Sequence, residues 1–283
     1  ADNKYAKYLP AVMISILYNT NSFIDFYILE TNISQENKDK IRRSLDKFNN
    51  STIEYLPVDS DKYFKGFDGK AWGLAAYNRL VFPLLKPNIK KAIYLDVDTL
   101  VLGDIKEMWN LDMEDIIIRG SDDRPKSALR TEIKGAKITN KNHIYFNSGV
   151  LLINYDKWRE VEGSNENILK ILTEIDEKIR KTNIAPDQGL LNHYFSNKGY
   201  YEHLPLKFND MLDVTYKEKM KYFDTYNPTD KQKTMNSEND KPIVRHFTIG
   251  PKAWNRPNRI WANHWWFYAK MGEFWEEIIL PFQ

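Results

Sequence analysis

Ala92-Ile93-Tyr94-Leu95-Asp96-Val97-Asp98-Thr99-Leu100 sets two carboxylates, two residues apart, where a short apolar strand runs out. Helical and strand-like patterns alternate on both sides of it. Upstream, Leu9, Val12, Met13, Ile16 and Leu17 recur at the spacing of one helix face, which predicts a helix from Tyr8. A strand is predicted from Phe23 to Leu29, a helix opening at Ser34 with Ile41, Leu45 and Phe48 inward, and a second strand from Thr52 to Val58. Ala71 to Leu85 reads as a helix that ends or kinks near Pro83 and feeds the strand Ala92 to Leu95. Downstream, strands are predicted at Asp115 to Ile118, Ile144 to Asn154, Tyr200 to Leu204 and Ile243 to Phe247, with helices at Asn165 to Lys181 and Pro186 to Phe195. The alternation predicts an α/β fold with a mostly parallel central sheet flanked by helices. Ligands of such sheets gather beyond the carboxyl ends of the strands, where Asp96 and Asp98 fall. The polar segments 120–142 and 210–241 are expected to be long surface loops over or beside a site.

The chain has 283 residues, long enough for one large domain, and 41 basic against 39 acidic side chains leave a net charge of +2. Near-neutrality argues against a nucleic-acid binder, which needs a cationic excess to displace counterions. Cysteine is absent, so disulfides, thiolate metal sites and thiol nucleophiles are excluded, and any metal must be held by carboxylate or imidazole. With no apolar run of membrane-spanning length and no leader pattern, the sequence reads as a soluble, cytoplasmic protein.

Two hard oxygen ligands leaving a strand can hold Mg²⁺ or Mn²⁺ against a diphosphate, whose charge must be neutralised before it departs. The bland alternative is a helix cap or surface pair. A phosphohydrolase of the haloacid dehalogenase type also begins from Asp-x-Asp after a strand, but it wants Thr or Val where this chain has Leu100. A second triplet, Asp59-Ser60-Asp61, has no apolar strand to aim it and reads as a solvated loop. His246, at the end of an apolar strand, suits a third ligand, because neutral imidazole binds Mn²⁺. Gly250 lets backbone approach a phosphate, and Lys252 and Arg79 supply cations that can neutralise one.

Six pieces stand in order along nearly the whole chain: Ala1-Asp2-Asn3-Lys4-Tyr5, Tyr77-Asn78-Arg79-Leu80, Tyr94 to Asp98, Tyr145 to Asn154, Pro186-Asp187-Gln188, and His246 to Trp254. Together they resemble the retaining glycosyltransferases of family 8, which include bacterial lipopolysaccharide galactosyl- and glucosyltransferases and glycogenin. The resemblance implies a nucleotide-sugar-binding domain of the GT-A type and a uridine diphosphate hexose, galactose or glucose, as donor. It implies that Asp2 hydrogen-bonds uracil and Tyr5 stacks on it, with Ala1 and Val97 in the same donor site. Asp96, Asp98 and His246 would ligate Mn²⁺ or Mg²⁺. Lys252 and Gly250 would meet the diphosphate, while Arg79, Asn147, Ser148, Asp187 and Gln188 would surround the sugar. The family carries a strand ahead of its Ala-Asp pair, so one is expected upstream of Ala1.

The family's common Asp-Gln-Asp is Asp187-Gln188-Gly189 here, which removes one candidate nucleophile. The resemblance therefore implies front-side attack, with Gln188 and Asp187 as the catalytic pair. A catalytically silent nucleotide- or carbohydrate-binding protein on the same scaffold is the alternative. The acceptor implied is a glycan or glycolipid, of lipopolysaccharide or lipooligosaccharide. Residues 1–250 are expected to form the transferase domain and 251–283 a helical tail. From Lys241 to Lys270 there are six basic residues and no acidic one, and five of the eight tryptophans lie between Trp254 and Trp275. Such a tail is expected to pack on the domain or to rest peripherally on the inner membrane surface.

Overall fold

A computed structural model describes residues 1–67, 73–123, 130–182, 185–211, 241–248, 251–259 and 261–282. Helix α1 (Leu9–Asn19) leads into strand β1 (Ile24–Glu30), and helix α2 (Gln35–Leu45) into β2 (Ser51–Pro57). The Ser34 side chain caps α2 by accepting from the Asn37 amide, and Ile41 and Leu45 are buried as their spacing predicts. Strand β1 runs parallel to β2, consistent with a helix crossing between them.

The second sheet has the order β3 (Lys91–Leu95), β6 (Phe146–Asn154), β5 (Ile118–Asp122), β7 (Tyr201–His203). A third, small sheet joins β4 (Thr99–Val101), β9 (Val244–His246) and β8 (Asp210–Met211). The expectation of a mostly parallel sheet is corrected here. Pairs β3/β6, β5/β6 and β4/β9 are antiparallel, while β1/β2, β5/β7 and β8/β9 are parallel, so the architecture is α/β with mixed sheets. Strand β6 forces the mixture: it is buried along almost its whole length, with an antiparallel neighbour on each side.

Other expectations shift in detail. The helix expected over Ala71 to Leu85 is a 3₁₀ segment Leu74–Val81 followed by one α-turn, Phe82–Leu85. Pro83 sits in the first turn of that α segment, where a missing N–H costs nothing, so it starts a turn instead of ending one. The strand expected at Asp115 to Ile118 begins at Ile118 and runs through Gly120. A Cβ at Gly120 would lie 2.8 Å from the Phe146 ring, and that close approach explains a glycine inside a strand. Within the two expected loops, Arg130–Gly135 is a short helix and Asp210–Met211 is β8; residues 124–129 and 212–240 lie outside the described residues. Asp59 caps the one-turn helix Ser60–Tyr63 by accepting from the Lys62 amide.

Near the C-terminus, the helix Ala262–Ala269 packs against α1. Trp265 and Phe274 are buried in the same apolar cluster as Ala11, Ile14 and Trp254.

Candidate active site

Strand β3 ends at Leu95, and the chain turns through Asp96, Val97 and Asp98 before β4 starts at Thr99. The Thr99 amide and hydroxyl both bond the Asp96 carbonyl, at 3.1 and 2.7 Å, which fixes that turn. Thr99 also pairs with His246 in the antiparallel β4/β9 ladder. The ladder therefore brings together residues 147 positions apart in sequence. Ligand atoms of Asp96, Asp98 and His246 all lie within 4.8 Å of one another, and His246 Nε2 is 3.2 Å from an Asp98 oxygen.

The fourth wall is Gly149 of β6, whose carbonyl accepts from the Asp96 amide at 2.8 Å. A Cβ built on Gly149 would stand 2.9 Å from His246 Nε2 and 2.7 Å from Asp96 Oδ2. The cradle between these groups is thus one that any side chain at 149 would fill. Two carboxylates and an imidazole facing one small space fit a divalent cation of the Mn²⁺ or Mg²⁺ class.

Asp96 is held from behind. Tyr94 donates its hydroxyl to Asp96 Oδ1 at 2.6 Å, and Arg79 reaches the same oxygen at 3.1 Å. Arg79 also lies 3.3 Å from Asp187 Oδ2, donates to the Ser148 carbonyl, and stacks over the Tyr94 ring at 4.0 Å. A buried guanidinium thus links the cation cradle to Asp187, the second residue of the helix Pro186–Lys198. Burial works against the charge of Arg79, but Tyr94, Asp187 and Asp96 outweigh it and hold the guanidinium protonated. Burial pushes the Asp187 carboxyl up, and Arg79 opposes that shift.

On the other side, Lys252 Nζ bonds Asp98 Oδ2 at 2.6 Å and the Phe247 carbonyl at 2.8 Å. Burial alone would raise the Asp98 carboxyl, yet His246 and Lys252 together hold it well below the usual carboxylate range. Asp98 therefore presents a full negative charge.

Gln188 is clamped at both ends of its amide. Its Oε1 accepts from the Ser148 amide at 3.0 Å and from Asn147 Nδ2 at 3.3 Å, while its Nε2 donates to Asp123 at 3.2 Å. Ser148 Oγ donates to Asp187 at 3.1 Å. Strand β6 thus positions Asn147, Ser148 and Gly149 against both the helix and the candidate metal ligands. At the chain start, Asp2 bridges to Thr31 and accepts from the Tyr5 amide, and Tyr5 exposes its ring edge-on to Trp254 at 6.5 Å. Val97 packs in the cluster of Ala1 and Trp254. These contacts link the candidate residues named from sequence, except Gly250, which lies outside the described residues.

Two buried or half-buried polar residues at this site escape sequence reading. Asp123, at the end of β5, holds Gln188 and Asn147; fully buried Asn209, just before β8, bonds both His246 and Asn147. Neither belongs to a recognisable spacing. The remaining histidines are structurally engaged: His143 with Asn192, His193 with the Ala136 carbonyl, His203 with Asp122, and His264 with Arg245.

Residues 1–258 match the family model described as Glycosyl transferase family 8. The chain is 29% identical to General stress protein A of Bacillus subtilis (strain 168), over 95% of this chain and 92% of that one. It is 25% identical to the lipopolysaccharide 1,2-glucosyltransferase of Escherichia coli (strain K12), over 89% of this chain and 71% of that one. Among solved structures it resembles galactosyltransferase LgtC in complex with donor and acceptor sugar analogs, with a TM-score of 0.80 and 26% identity over 96% of this chain and 94% of that one. The fold it shares with that structure is of the GT-A type.

Proposed function

Because the chain belongs to glycosyl transferase family 8, we propose that it transfers a hexose, galactose or glucose, from a uridine diphosphate sugar to a glycan, with retention of anomeric configuration. The observation that carries the reading is the convergence of Asp96, Asp98 and His246 on Gly149, next to the buried Arg79, Asp187 and Gln188. Bound in that cradle, Mn²⁺ or Mg²⁺ would neutralise the departing diphosphate. Lys252 adds a second positive charge at Asp98, and Trp254, two residues on, lies edge-on to Tyr5, the candidate uracil platform. The lipopolysaccharide reading of the acceptor is supported by the E. coli relative. A peripheral contact with the cytoplasmic face of the inner membrane is compatible with the exposed pair Tyr18 and Phe267, 5.9 Å apart.

In the reaction, the acceptor hydroxyl oxygen forms a bond to the anomeric carbon as that carbon's bond to the diphosphate oxygen breaks. The hydroxyl proton passes to a diphosphate oxygen on the same face. Gln188 contributes a fixed dipole: its oxygen is held by the Ser148 amide and its nitrogen by Asp123, so it needs no reorganisation as charge develops on the sugar. Asp187 is committed to Arg79 and Ser148 and is a poor nucleophile. Enzyme quenched during donor turnover is therefore expected to show no glycosyl adduct on Asp187 by mass spectrometry; a trapped adduct there would overturn front-side attack.

The experiment that tests the reading is calorimetric binding of uridine diphosphate with Mn²⁺, with chelator, and with Asp98→Ala in the presence of Mn²⁺. Binding is expected to require the cation and to weaken about 100-fold or more, roughly 2.7 kcal/mol, in the variant. Equal binding in all three would remove the metal-dependent donor site.

A further inference from the structure

Resting on the cation site proposed above, we propose that Asn209 is a positioning residue that sets the tautomer of His246 and ties the cation cradle to Gln188 through Asn147. Two backbone amides of β6 have unambiguous donor roles. Gly149 N donates to Asn147 Oδ1 at 3.0 Å, so that side-chain atom is an acceptor. The Asn209 atom facing the same oxygen at 3.1 Å must then be the amide nitrogen, Nδ2. Its other atom, Oδ1, is left 2.9 Å from His246 Nδ1, and an amide oxygen only accepts. His246 Nδ1 therefore carries a proton, and Nε2 is the nitrogen turned toward Asp98, Asp96 and the space at Gly149.

Ser148 N donates to Gln188 Oε1, so Asn147 meets that oxygen with Nδ2, consistent with the orientation fixed by Gly149. Every amide in the chain His246, Asn209, Asn147, Gln188 is thus oriented by the backbone of β6. Asn209 is fully buried, and among the described residues its side chain bonds these two partners. Outer-sphere groups of this kind fix ring orientation and raise a ligand's basicity.

The test uses the full chain and three proteins: wild type, Asn209→Leu and Asn209→Asp, each checked for folding by thermal melting. Leucine removes both bonds; aspartate still accepts from His246 Nδ1 but cannot donate to Asn147. Calorimetric Mn²⁺ affinity with saturating uridine diphosphate is expected to fall 10- to 100-fold for Asn209→Leu. For Asn209→Asp it is expected to stay within about threefold of wild type, while kcat with donor and acceptor falls at least tenfold at little cost in KM. A folded Asn209→Leu with wild-type Mn²⁺ affinity, or an Asn209→Asp with wild-type kcat, would overturn the role assigned to Asn209. Absence of Mn²⁺ binding in the wild type would instead overturn the cation site itself, and with it the premise.

Discussion

Gly149→Ala is expected to abolish cation-dependent donor binding while leaving the protein folded. The added methyl would sit 2.2 Å from His246 Cε1, 2.7 Å from Asp96 Oδ2 and 2.9 Å from His246 Nε2, all far inside contact distance. His246 cannot yield easily, because its Nδ1 is tied to the fully buried Asn209 and its backbone is laddered to Thr99. Asp96 is equally constrained by Tyr94 and Arg79. The clash therefore resolves by spreading the ligands apart, the one change a cation needing short, regular bonds tolerates least. The expected loss in Mn²⁺ affinity is about 100-fold or more, measured by calorimetry, with the methyl placed in the cradle itself. Stability should fall by only about 1–3 kcal/mol, the usual range for overpacking. A variant that binds Mn²⁺ as the wild type does would show that the cation lies elsewhere.

The site was more legible in sequence than the pairing that builds it. Asp96 and Asp98 stand out because a strand of apolar residues aims them, and His246 because it ends another such strand. Nothing in composition reports strand direction, so the antiparallel neighbours of β6 were out of reach. Strand β4 was missed because it restarts immediately after the carboxylate turn, leaving no gap between elements. Gly120, Ser121 and Asp122 looked like loop because they are small or polar; they belong to a strand because the chain there pairs with β6 and β7, and Phe146 leaves room only for glycine at 120. Asp123 and Asn209 acquire meaning only through partners on other strands, and a single sequence does not display those contacts. Gln188 stood out only by resemblance, and the geometry gives it a reason: an amide offers an acceptor to Ser148 and a donor to Asp123 at once.

Arg79→Met is expected to damage stability and activity together, in a pattern that identifies what the guanidinium does. The arginine is buried and answers two carboxylates, Asp96 and Asp187, plus the Ser148 carbonyl. Removing one partner of a buried ion pair leaves its counter-charge without compensation, which costs roughly 3–5 kcal/mol. Burial already raises the Asp187 carboxyl, and Arg79 is the first group opposing that rise, so the variant raises it further. A carboxyl whose folded value exceeds its unfolded value contributes stability that is present at low pH and lost as pH rises through the folded value. The melting temperature of Arg79→Met, relative to wild type, should therefore recover as pH is lowered from neutral toward the carboxylate range. Arg79→Lys keeps a charge but has no planar fork to span Asp96, Asp187 and Ser148, so it should restore part of the stability and little of the transfer rate. If Arg79→Met instead melted with the same pH dependence as wild type, Asp187 would not depend on this guanidinium, and the link from the cation cradle to Gln188 would have to run through Asn147.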